Sequence, residues 1–125
     1  MASQKHYDLF FLNDYFDNDL SAILPILEMY LEETPKELAA IENCLIKNDA
    51  ATSKAITHKI KTNISMLGIH DQSTFINDMY LLHPSDDIQD AVKQQFDLFK
   101  ASVTQAFNEI REDIFSDRNN GAEGS

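Results

Sequence analysis

Apolar residues recur along this chain in steps of three and four, the interval at which an α-helix returns to one face. Leu9, Leu12 and Phe16 mark a short amphipathic opening segment. From about Asn18 to Glu33 the spacing of Ile23, Leu27, Tyr30 and Leu31 predicts a helix, with Pro25 near its start, where a lost donor is best tolerated. Thr34-Pro35-Lys36-Glu37 then reads as a new start, a capping-box Thr and Glu with proline at the first helical position. The helix it opens runs to about Asn48 and buries Leu38, Ile41 and Leu45. Asp49 caps the next, which ends near Gly68, a residue suited to the left-handed conformation that stops helices. A further helix over about Asp71 to Leu82 presents Phe75 and Met79 before His83-Pro84 breaks it. Ser85 caps a last helix from Asp86, whose stripe of Ile88, Val92, Phe96, Phe99, Val103, Phe107, Ile110 and Ile114 implies one rod of about 45 Å.

Glycine scarcity supports the helical reading: Gly68 is the only glycine in the first 120 residues, and sheets with tight turns need more. The expected fold is all-α, an antiparallel four-helix bundle with a short extra N-terminal helix, over residues 1–115. The polar, glycine-containing stretch 116–125 is expected to be a disordered tail. With 125 residues and 43% hydrophobic content there is material for one buried core. Phe10, Phe11, Phe16, Phe96 and Phe99 are assigned to core or packing positions, and the lone Cys44 to a helix core. The stripe of the last helix could pair with a copy of itself but is equally explained by packing inside the bundle, and a monomer is the expectation.

Charge narrows the partners. Acids outnumber bases 21 to 10, for a formal net charge of -11. Nucleic-acid backbones and anionic membranes are disfavoured, since both require clustered Lys and Arg. No apolar run approaches the roughly 20 residues of a membrane span, and no charged-then-apolar leader opens the sequence. A cytoplasmic protein is the expectation. Against this acidic background, Ala50 to His70 contains no Asp or Glu but holds Lys54, Lys59 and Lys61. On a helical wheel Ile56, Ile60 and Leu67 fall opposite His58, which places the imidazole toward water. Lys54, Lys61, Thr62 and Ser65 share its face, and Ala51 and Ala55 leave room for an approaching molecule. A neutral imidazole is a competent nucleophile, and an ammonium one turn away can offset the charge of a phosphoryl group. A solitary surface histidine usually has no such role; the pattern around this one decides the matter.

The run His58-Lys59-Ile60-Lys61-Thr62-Asn63-Ile64-Ser65-Met66-Leu67-Gly68 resembles the histidine-containing phosphotransfer (HPt) domain. In that family the phosphorylated histidine is followed by an apolar residue at +2, lysine at +3, and Leu-Gly at +9 and +10. Ile60, Lys61, Leu67 and Gly68 stand at those places. The resemblance covers about residues 18–82, with Ile26 to Asp49 similar to the family's preceding helix pair and Phe75 and Met79 at its downstream apolar positions. Two residues depart from it: Thr62 stands where the family usually has glycine, and Gln72 where it has an apolar residue. The Thr62 hydroxyl is expected to bond back to a carbonyl one turn earlier.

The resemblance implies a phosphorelay carrier. His58 would accept a phosphoryl group on Nε2 from an aspartyl phosphate of a response-regulator receiver domain, or a hybrid histidine kinase carrying one, and pass it to another receiver. Lys61 would stabilise the phosphoryl oxygens and Lys54 add to the field. Ala55, Thr62, Ser65, Met66 and Ile69 would form the surface on which the partner docks. The receiver supplies Mg²⁺, so no cofactor of this chain's own is expected. Without a phosphate-cradling glycine loop the chain is not read as a kinase, and it is an enzyme only in the sense of a phosphotransfer intermediate. The alternative is a helical adaptor that binds receivers or kinases without being phosphorylated. Metal binding is discounted because no His pair has i, i+4 spacing; His70 and His83 are read as loop and helix-end residues.

Overall fold

The computed structural model describes residues 5–116, and every regular element among them is helical. In chain order these are α1 (Phe10–Tyr15), α2 (Leu20–Ile46), α3 (Ala50–Met66), α4 (Phe75–Leu81) and α5 (Asp90–Ile110), which continues into a π-helical turn, Arg111–Ser116. α2 packs on α3, α3 on α4, α4 on α5, and α5 returns to α2, while α1 lies against α2. The tail expected at 116–125 falls, apart from the backbone of Ser116, outside the described residues.

α2 is one helix where two were expected. Thr34 does not cap anything: it is 0% exposed inside the helix, and its hydroxyl has no hydrogen-bond partner among the described residues. Pro25 and Pro35 are both interior, so the carbonyls of Ser21 and Leu31 lose their usual donors. Each interior proline costs about 3 kcal/mol. Burial offsets this, because Ile23, Leu27, Leu38, Ile41 and Leu45 form one buried stripe along the helix. Each contributes roughly 1.5–3 kcal/mol, and splitting the helix would break the stripe in two. Packing outweighs the local start signal.

Two matching turns then set the helix carrying His58. At the end of α2 Asn48 is left-handed (φ 58°), with Asn48 N–H donating to Leu45 O (3.2 Å) and Asp49 N–H to Cys44 O (2.8 Å). Asp49 next caps α3 as expected, accepting from Thr52 N–H at 3.1 Å. At its far end Gly68 (φ 57°) donates to Ser65 O (3.1 Å) and Ile69 N–H to Ile64 O (3.1 Å). Both exits are Schellman turns. Three residues between α2 and α3 force the chain to double back.

The other starts differ from expectation. α4 begins at Phe75 rather than Asp71, because the Asp71 carboxylate binds Ser73 N–H (2.8 Å) and hydroxyl (2.7 Å) in a local turn. Gln72 is therefore a loop residue whose N–H donates to Ser102 Oγ (3.1 Å). α5 begins at Asp90, not Asp86: Ser85 Oγ bonds His83 Nδ1 (2.7 Å), and Asp86 accepts from His83 N–H (2.9 Å). Asn48 ties this loop down, accepting from Ile88 N–H (2.7 Å) and donating to Asp87 (2.8 Å). The rod is accordingly shorter than 45 Å implied, though Phe96, Phe99, Val103, Phe107 and Ile110 are buried along it as expected. Phe75, Phe96 and Phe99 meet at ring-centroid distances of 5.1–6.3 Å. Phe10 (63% exposed) and Phe11 (59%) lie outside the core, contrary to expectation; Leu12 is the buried residue of α1 instead. Cys44 is half-buried on α2, where burial and then Asp49 push its thiol pKa up.

The segment before α1 crosses the molecule. Asp8 N–H donates to Leu67 O (2.9 Å), and His70 N–H to His6 O (2.9 Å). His6 also binds Glu109 through its N–H (2.6 Å) and Nδ1 (2.7 Å), while Tyr7 donates its hydroxyl to Asp113 (2.8 Å). Burial first, then the Asp113 contact, raises the Tyr7 pKa.

Candidate functional site

α3 divides its residues between two faces. Ala50, Ser53, Thr57, Ile60, Ile64 and the following Leu67 are buried at three- and four-residue steps. Ser53 and Thr57 can lie inside because their hydroxyls donate to the carbonyls of Ala50 (3.0 Å) and Ser53 (2.7 Å). The opposite face therefore carries His58 in the exposed set, with Ala55, Lys61, Thr62 and Ser65.

His58 stands at a groove of about 480 Å³ between α3 and α4. Lys54, Ala55, Thr57, His58 and Lys61 form one wall; Ile76, Met79 and Tyr80 form the other. The α4 wall was not legible as part of the site. A signal for it exists: Met79-Tyr80-Leu81-Leu82 is a longer apolar run than one helix face can bury, and Tyr80 is 77% exposed.

The three lysines of the acid-free island have separate roles. Lys54 reaches across the groove to donate to Met79 O (2.6 Å) and Tyr80 O (3.1 Å). It supplies the cation that the last turn of α4 lacks in its own sequence. Lys59 lies 3.2 Å from Glu37 of α2, which also accepts from Asn63 Nδ2 at 3.4 Å. Lys61 has no carboxylate or hydrogen-bond acceptor among the described residues. Of the three island lysines, the one left unengaged among the described residues is thus the lysine three residues beyond His58, at the same groove.

The proposed docking residues separate similarly. Ala55, Thr62 and Ser65 are exposed, and Met66 is half-buried against the core. Ile69 is only 9% exposed and belongs to the core, which corrects its assignment to a docking surface. After Gly68 the chain has left the helix, so wheel angles no longer apply; the Schellman turn folds Ile69 back toward Ile64. Among the described residues the exposed Thr62 hydroxyl has no hydrogen-bond partner, so it does not bond back to a preceding carbonyl as expected. No group of three or more His, Cys, Asp or Glu suited to a metal ion occurs among the described residues. No helix among them is long and apolar enough to cross a membrane. Comparisons with protein-family models, curated proteins and solved structures returned no match.

Proposed function

We propose that this protein is a phosphoryl carrier of the HPt type, a four-helix bundle with one added N-terminal helix that works in a cytoplasmic two-component phosphorelay. The observation that carries the reading is the pairing of an exposed His58 with Lys61, the one island lysine not engaged elsewhere, on the rim of a single groove. In the reaction the lone pair of a neutral His58 Nε2 attacks the phosphorus of a receiver's aspartyl phosphate in line. The N–P bond forms as the acyl P–O bond breaks, and the electron pair leaves with the receiver's carboxylate. Nδ1 keeps its proton throughout. Such a transfer asks of the carrier a positioned nucleophile and compensation of charge, and Lys61 supplies the latter. The receiver contributes the acidic pocket and Mg²⁺.

Incubation with a phosphorylated receiver domain tests this. An acid-labile label should appear on the protein and vanish in His58→Gln, and Lys61→Ala should slow its appearance about ten- to hundredfold without changing helix content. Absence of label on the unaltered protein refutes the carrier reading. Thr62 favours one other possibility, since its free side chain adds bulk beside the imidazole where the family usually has glycine. Binding of the receiver without any label would make the protein an adaptor that uses the same groove.

A further inference from the structure

The second feature that suggests a function lies on α1, away from the groove. From His6 to Pro35 the chain contains no lysine or arginine. Within this stretch Phe10, Phe11, Tyr15 and Leu20 are all more than half exposed. Phe11 and Tyr15 are one turn apart and share a face. The Phe10 ring meets Phe11 edge-on at 5.9 Å, and Tyr15 meets the half-buried Phe16 at 4.9 Å. Leu12 within α1, with Leu9 and Phe16 at its ends, moors the helix to the core, while Phe10, Phe11 and Tyr15 face outward. Four carboxylates, Asp8, Asp14, Asp17 and Asp19, surround them in sequence, and none has a lysine or arginine partner among the described residues.

The patch is also held in place. Asp17 (φ 51°) and Asn18 (φ 61°) are two consecutive left-handed residues, a conformation that non-glycine residues adopt at a cost. Asn18 N–H donates to Asn13 O (2.7 Å) and Asp19 N–H to Phe16 O (2.9 Å). The turn fixes α1 on α2 rather than letting it swing.

We propose that α1 and the start of α2 form a second docking surface, whose occupant is a protein presenting an apolar helix face bordered by lysine and arginine. Charge selects this occupant. A second copy would oppose the same four carboxylates, and anionic lipid or nucleic acid would be repelled in the same way. The surface is distinct from the groove at His58, which no residue of α1 lines. The inference does not depend on phosphorylation of His58.

The test uses a fluorescent amphipathic helical peptide of leucine and lysine, with binding followed by anisotropy at moderate salt. Phe11→Ser with Tyr15→Ser removes the ridge at constant charge. Asp14→Asn with Asp17→Asn removes two charges while keeping a residue that tolerates positive φ. Asp97→Asn with Asp90→Asn makes the same charge change on α5. Both α1 pairs should raise Kd about tenfold or more, and the α5 pair less than about twofold. Equal weakening by both charge pairs with no effect of the aromatic pair would mean nonspecific attraction to an acidic body and overturns the proposal. Failure of the peptide to bind, or self-association abolished by Phe11→Ser with Tyr15→Ser, overturns it as well.

Discussion

Lys54→Met separates a structural from an electrostatic role for the lysine nearest the α4 wall. The substitution keeps an unbranched stem of similar length and removes only the ammonium. Two hydrogen bonds disappear with it, at 2.6 Å to Met79 O and 3.1 Å to Tyr80 O. A hydrogen bond from a charged donor contributes about 1.5–3 kcal/mol, and a cation at a helix C-terminus about 0.3–1 kcal/mol. The Tyr80 contact is exposed and is discounted accordingly. The expected loss is about 2 kcal/mol, large for a helix of seven residues with no basic residue in its last turn. In urea this lowers the midpoint by about 1 M, read by far-UV circular dichroism, and amide exchange in α4 should accelerate beyond the global change. An unchanged midpoint with unchanged α4 exchange refutes the argument. Slower phosphoryl transfer at unaltered stability would instead place Lys54 with Lys61 in stabilising the phosphoryl group.

Gly68→Ala should destabilise by at least about 2 kcal/mol, from the left-handed backbone and from a Cβ that would lie 2.6 Å from the Asp8 carbonyl oxygen. Faster exchange of the Asp8 N–H would identify the second cause; a thermal midpoint within error of the original refutes both. Thr34→Val replaces a buried hydroxyl without a partner by a methyl group and should stabilise by about 1 kcal/mol in a denaturant titration, whereas a loss of stability would mean the hydroxyl has an acceptor after all. Burial alone would raise the Glu109 pKa, but hydrogen bonds from His6 N–H, Gln105 and the His6 ring together hold it below its ordinary 4.5. The stability it contributes is complete above that value and is lost as pH falls through the lower native one. The urea midpoint should fall below about pH 4.5 in the unaltered protein and fall less in Glu109→Gln, with parallel curves excluding the assignment.

The sequence was most readable where one signal acted alone. Asp49 and Gly68 bound α3 as their chemistry requires, and the face opposite Ile60 and Leu67 holds His58 in water. It misled where local and tertiary preferences compete. Thr34-Pro35 has the form of a helix start, but the stripe from Ile23 to Leu45 is better buried by one continuous helix. Ser85 and Asp86 have the composition of a cap, yet they close a turn on His83 because Asn48, distant in sequence, has fixed the neighbouring Ile88. The second wall of the groove depends on how α4 meets α3, which periodicity within either helix does not encode.

The crossing of residues 5–8 has a consequence for how the molecule is made. His6 binds Glu109, 103 positions further along, and Tyr7 binds Asp113. The same few residues close over the exit of the His58 helix at Leu67 and His70. Contacts of such high sequence separation form late. During synthesis, residues 6 and 7 can therefore gain their own anchors at Glu109 and Asp113 only after α5 has been made.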